Sequence, residues 1–319
     1  MQTHDDTSDY FNNAGELTAP IRSRVSRTTS ETITIHVPSD FDTVSEAIDE
    51  VKCRRTPPGV TVDIILESGH AFQSTVHLQQ QDLRHVSIKS EDGTVGVDDT
   101  GLSDSTGTGE LNMFVGYDGA HVPAIRTLFN ASNASEKVEG LALGWGSHAH
   151  IGIGCGFEQM WRGVNAFRIS TVTGWQSICR DMTERGVKLG GHAIGYFDEA
   201  DLSGCGGIGM RLVQGAQGTL KDANASDCRV GVRPGQGSYV IAFRTDLTNC
   251  TDHGANLTAS EIVMPEADVS GAGKEDVSLG WGSRAVLNDA TTTNGTPDIG
   301  DVRNISAFNS AESGGIGFA

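Results

Sequence analysis

DLSGCGGIG at 201–209, then NASDCRVGV at 224–232 and DLTNCTDHGA at 246–255, is the stretch that decides how this chain is read. Three times in succession an Asp or Asn opens a short run that reaches a cysteine and then small residues. The pattern extends outward in both directions. Cysteines stand at 155, 179, 205, 228 and 250, at gaps of 24, 26, 23 and 22 residues. The final stretch, AFNSAESGGIGF at 307–318, repeats the frame with Ala311 near the cysteine position. A second element, Gly-x-Gly-Ser/Thr, alternates with the first. It reads GWGSHA at 144–149, GAQGTLKDA at 215–223 with one residue shifted, GQGSYVIA at 235–242 and GWGSRA at 280–285. The two copies of LGWGS, at 143–147 and 279–283, lie 136 residues apart. That is six repeats of about 23 residues, a period that marks a solenoid.

The expected fold is all-β: a right-handed single-stranded parallel β-helix with a short N-terminal capping helix. In such a fold a small side chain at one corner of each coil stacks on its counterpart about 4.8 Å away. Cysteine serves there as a small buried hydrophobe. The glycine two or three residues later is expected to supply a positive-φ corner. A metal array is not expected, because no cysteine pair has C-x-x-C spacing.

Three segments follow. Residues 1–30 lack hydrophobic periodicity and read as an attachment arm, ordered on a partner. Residues 31–139 hold the cap and first coils. Ile33, Ile35 and Val37 alternate as a strand. Asp42 or Thr43 caps a helix carrying Val44, Ala47, Ile48 and Val51. A turn, RRTPPG, and the strands VTVDIIL (60–66) and LRHVSIKS (83–90) come next. Residues 91–110, EDGTVGVDDTGLSDSTGTGE, are expected to leave the coil as a loop. Residues 140–319 are regular coils.

Gly makes up 41 of 319 residues and Pro only 8, against about 7% Gly in average usage. That suits short strands joined by tight turns. With 23 basic and 41 acidic residues the net charge is −18. Nucleic acid is not expected as a partner. No apolar run is long enough to span a membrane, and the polar N-terminus lacks a signal-peptide pattern.

ITIHVPSDFDTVSEAIDEV, VTVDIILESGHAF and DLRHVSIKSEDG together resemble the opening of bacteriophage tail fibre and tail spike proteins with a pectate-lyase-like β-helix. HVPAIRTLFNAS, RGVNAFRI and the repeated coils are similar to fibres of tailed phages, those of marine α-proteobacteria in particular. The resemblance covers about residues 31–319. It implies a homotrimer, an arm (residues 1–30) docked on other virion tail or baseplate proteins, and a body that meets a host-surface glycan or protein. Its expected location is the virion, assembled from chains made in the host cytoplasm.

The expected function is therefore a trimeric tail fibre or tail spike active in host adsorption. The alternatives are a polysaccharide depolymerase, hydrolase or lyase, and a capsid-surface decoration protein. Binding is favoured over enzymatic activity. The carboxylates for a hydrolase would be Glu199 and Asp201, which share a face if they lie on a strand. A lyase would call on Arg168, Arg180 or Lys188 as the basic group. Trp145 and Trp281, between glycines in identical contexts, are the receptor-binding candidates, since aromatic rings stack on sugars. No cofactor and no metal are expected.

Overall fold

The computed structural model describes residues 32–52, 60–107, 109–280 and 282–293, with the backbone of 307–309 and 316–318. The arm at 1–30, the RRTPPG turn, Trp281 and Ala311 lie outside the described residues. The chain is a right-handed parallel β-helix. The coils have three sides, and their short strands stack coil on coil into sheets of six, nine and nine strands; beyond Ile178–Arg180 the third side is held by single bridges at Asp201, Asn224, Asp246 and Asp268. One nine-stranded sheet starts at Val76–Gln79 and continues through Leu111–Tyr117, Val138–Leu143, Arg162–Phe167, Arg185–Gly190, Ile208–Val213 and Val230–Pro234. It is called the groove sheet below.

The register repeats every 22 or 23 residues: Leu141, Val164, Val187, Met210 and Val232 occupy one interior column. All five are buried. The N-terminal end is closed by the helix Val44–Val51. Thr43 and Glu46 form a capping box there, and Val44, Ala47, Ile48 and Val51 face the core.

The cysteines do not form one ladder. Backbone bonds run from Thr183 N to Met160 O, Gly206 N to Met182 O, Arg229 N to Cys205 O, and Thr251 N to Cys228 O. The column is therefore Met160, Met182, Cys205, Cys228 and Cys250. Cys179 lies elsewhere, in register with Phe157, and Cys155 is only partly buried. The gap of 26 between Cys179 and Cys205 is the step from one column to the other. What the column selects is an unbranched apolar side chain, which both thiol and thioether satisfy.

The left-handed corner also falls differently. It is the residue before the column, not after it: Gln159, Asp181, Gly204, Asp227 and Asn249 all have φ between 53° and 67°. The later glycines serve a steric role. A Cβ on Gly186 would meet Gly209 O at 2.7 Å, and one on Gly209 would meet Gly231 O at 2.7 Å. Gly209→Ala is expected to destabilise the chain by about 1–3 kcal/mol through overpacking, read as a lower urea midpoint.

The Gly-x-Gly-Ser corner has a clear construction. Trp145 and Gly146 both take positive φ, and the Ser147 hydroxyl donates to Gly144 O at 2.7 Å. Ser238 repeats the bond to Gly235 O.

Two further expectations are corrected. Residues 91–96 continue the strand Val86–Gly96 across a bulge after Lys89, with Val95 and Val97 buried. Only the part from Asp98 onward leaves the coil. The last two described strands do not continue the parallel stack either: Ala307–Asn309 pairs antiparallel with Ile316–Phe318. The connection between them is too short for the crossover that a parallel pair needs.

Candidate functional site

In a parallel, in-register sheet each outward position becomes a column along the solenoid axis. One column of the groove sheet reads Asn112, Glu139, Arg162, Arg185. The next reads His77, Val115, Ala142, Asn165, Lys188, Arg211, Arg233. A cleft of about 740 Å³ lies over these columns. Its floor carries Arg162, Asn165 and Lys188, and His77, Gln79 and Tyr117 stand at one side. Trp145, Phe167 and Arg168 rise from the strand ends and corners. Ser105 and Thr106, from the excursion, complete the wall.

Local packing explains this shape. Gly144 is bare because the Tyr117 ring lies over it; a Cβ there would sit 2.5 Å from the ring. His77 meets Tyr117 edge to face, with centroids 6.1 Å apart. Arg168 stacks its guanidinium 3.7 Å from the Trp145 ring centroid, a cation–π contact. The Lys188 ammonium lies 4.7 Å from the Phe167 ring.

Beneath the cleft, Arg162 is the hub. Its Nη1 is 3.1 Å from Glu110 and 3.8 Å from Glu139, and its Nε donates to Glu184. Glu139 is fully buried. Asn112 donates to its Oε2 at 3.0 Å, while Oε1 has no hydrogen-bond partner among the described residues. Burial raises the Glu139 pKa to about 7, against the opposing pull of Arg162. Burial also raises the Tyr117 phenol, so it stays protonated. Lys188 shifts the other way, lowered by burial and by Arg185 and Arg162 beside it.

The residues singled out from sequence divide sharply. Trp145 and two of the three basic candidates, Arg168 and Lys188, line the cleft. Trp145 is 53% exposed. Arg180 lies on the six-stranded sheet, paired to Glu158 at 3.0 Å and Asp201 at 3.3 Å. Glu199 and Asp201 do not share a strand face. Glu199 sits in a turn at φ 56° and accepts from Trp175 and Gln176. Asp201 heads a row of Asx turns: it accepts from Ser203 N as Asn224, Asp246 and Asp268 do from Ser226, Thr248 and Ser270. Its role in that row is to close a corner. No group of three or more His, Cys, Asp or Glu placed to hold a metal ion occurs among the described residues. No helix among them is long and apolar enough to cross a membrane.

Arg162, Asn165, His77 and Tyr117 were not singled out from the sequence. One signal was present: RGVNAF at 162–167 and RGVKLG at 185–190 repeat the arginine at coil period.

No family model matches this chain, and no curated protein does. Among solved structures it is similar to a mutant of the periplasmic alginate epimerase AlgG, at a TM-score of 0.52 and 13% identity. The match covers 85% of this chain and 73% of that one. The likeness is one of fold: a right-handed parallel β-helix, an architecture shared with a polysaccharide-modifying enzyme.

Proposed function

We propose that this chain is a polysaccharide depolymerase of lyase type, working in the cleft over the groove sheet on a glycan that carries carboxylate groups. The observation that carries this reading is one open cleft in which a basic floor, Arg162 and Lys188, is walled by Arg168, Trp145 and the Tyr117 phenol. β-Elimination needs three things at one carbon. The carboxylate beside it must be neutralised so that its proton becomes acidic. A base must take that proton, and an acid must protonate the departing glycosidic oxygen. Arg162 and Lys188 serve the first need. His77 stands in the same column as Lys188 but four coils away, about 19 Å along the axis, so the proton is taken by the basic group within reach, Arg168 at the cleft wall. The Tyr117 phenol, kept protonated by burial, gives one to the leaving oxygen. Trp145 supplies an aromatic face for a neighbouring sugar. The fold it shares with a polysaccharide-modifying enzyme supports the reading.

The test is incubation with a panel of acidic and neutral polysaccharides. Lyase action gives shorter chains bearing an unsaturated sugar, seen by ultraviolet absorbance. New reducing ends without unsaturation would favour hydrolysis instead.

A tail-spike setting, in which the depolymerase opens a host's surface glycan during adsorption, is the second part of the proposal. Its partner is two further copies of the chain. One observation favours self-association. The outward column Thr173, Tyr196, Thr219, Ile241, Val263 carries no charge, and the one beside it, Ile194, Gln217, Tyr239, is uncharged up to Glu261 and Arg284, which pair with each other, on a chain of net charge −18. Copies meeting there avoid acid-on-acid contact. The native chain is expected to sediment as a trimer, and Tyr196→Glu with Ile241→Glu as a monomer. A monomeric native chain would overturn the homotrimer.

A further inference from the structure

Five cations stand on one face of a strongly acidic chain. Arg162 is matched by Glu110, Glu139 and Glu184, and Arg185 by Glu184 at 2.7 Å. Lys188, Arg211 and Arg233 form no ion pair among the described residues. They occupy one column, on successive coils, and all three are partly buried. Like charge presses on the row: burial together with Arg233 and Arg185 lowers the Arg211 pKa, and burial with Arg185 and Arg162, from the column beside it, lowers that of Lys188. A fold that places like charges side by side, half out of water, carries an electrostatic cost that an anion on the row relieves.

Arg211 and Arg233 lie beyond the cleft, one and two coils past Lys188 toward the C-terminal end. Coils repeat about every 4.8 Å, close to the length of one pyranose unit in an extended glycan. We propose that Lys188, Arg211 and Arg233 are consecutive subsites for a glycan laid along the solenoid axis, each taking the acidic group of one sugar. The inference rests on the depolymerase reading and narrows it. The substrate is acidic at every unit, not a chain with occasional acidic sugars. The chain leaves the cleft toward Arg233. The guanidinium at the Arg211 and Arg233 rungs favours a planar carboxylate, which it can grip with two parallel bonds.

Binding tests this without turnover. The Tyr117→Phe protein is titrated calorimetrically with three oligomers of equal length: a polyuronate, the same chain partly methyl-esterified, and a neutral glucan. The polyuronate is expected to bind tightest, with affinity falling as salt rises. Arg211→Ala with Arg233→Ala should weaken that binding about tenfold per arginine removed, and leave a uronate disaccharide unaffected. Lysine at both positions should restore part of the affinity, and its thermal melt checks folding. Equal binding of the esterified chain, an unchanged double variant, or equally tight binding of single-stranded DNA would overturn the row as a glycan subsite. Cleavage is scored separately. Binding as expected with no product from any polymer would leave the row standing and remove the lyase.

Discussion

Tyr117→Phe is expected to lower kcat on the cleaved polysaccharide by about 10²–10⁴-fold, the usual worth of a positioned acid. The change is a clean one. The ring still lies over Gly144 and still meets His77, so the wall of the cleft keeps its shape while the phenolic proton is lost. KM should move little, because the carboxylate is held by Arg162 and Lys188 on the floor. Lys188→Ala should show the opposite balance, with KM rising more than kcat falls, since it removes ground-state attraction along with part of the charge stabilisation. His77→Ala is the control: His77 is exposed and four coils from Lys188, so its loss should leave kcat nearly unchanged. A Tyr117→Phe protein with wild-type kcat would remove the acid from the mechanism.

The repeat made the fold legible because a solenoid writes its geometry once per coil. The Asp/Asn–Cys frame and the Gly-x-Gly-Ser corner are both corners in space, and the buried Ser147 and Ser238 hydroxyls show why serine ends the second one. Which cysteines stack was not legible. Cys179 and Cys205 belong to different columns, and only register distinguishes a thiol facing Phe157 from one facing Met182. The shared face expected of Glu199 and Asp201 is absent for the same reason: alternation across a strand needs a strand, and Glu199 stands in a left-handed turn. The cleft was half legible. Arg168, Lys188 and Trp145 were named from sequence, but nothing set them apart from Arg180. Net charge hid the rest. A value of −18 describes the whole surface, while Lys188, Arg211 and Arg233 recur at coil period and concentrate charge on one face. His77 and Tyr117 could not be joined from sequence, because the excursion after Asp98 separates their strands and only the pairing of Val76–Gln79 with Phe114–Tyr117 sets their register.

Glu139 should make the stability of this protein depend on pH. Its folded pKa is raised to about 7 from 4.5 by burial. The folded chain therefore binds the proton more tightly than the unfolded one, and the stabilisation is whole below pH 4.5. It fades as pH rises through about 7. Above that, the fold holds either a buried carboxylate or nothing in its favour from this group. The shift corresponds to about 3 kcal/mol. Glu139→Gln keeps the shape and an acceptor for Asn112, and leaves Arg162 with Glu110 and Glu184. Urea titrations at pH 4.5, 6 and 8 should show the native chain losing about 3 kcal/mol relative to the variant, with the variant the more stable at pH 8. Parallel curves for the two proteins would mean that Glu139 titrates near its ordinary value. The same proton reaches the cleft through Arg162. Once Glu139 ionises, Arg162 faces a third carboxylate, and less of its charge is left for the substrate above it. Binding of an acidic glycan should then weaken above pH 7 in the native chain and hold steadier in Glu139→Gln. Such a difference would tie the buried acid to the cleft rather than to the core alone.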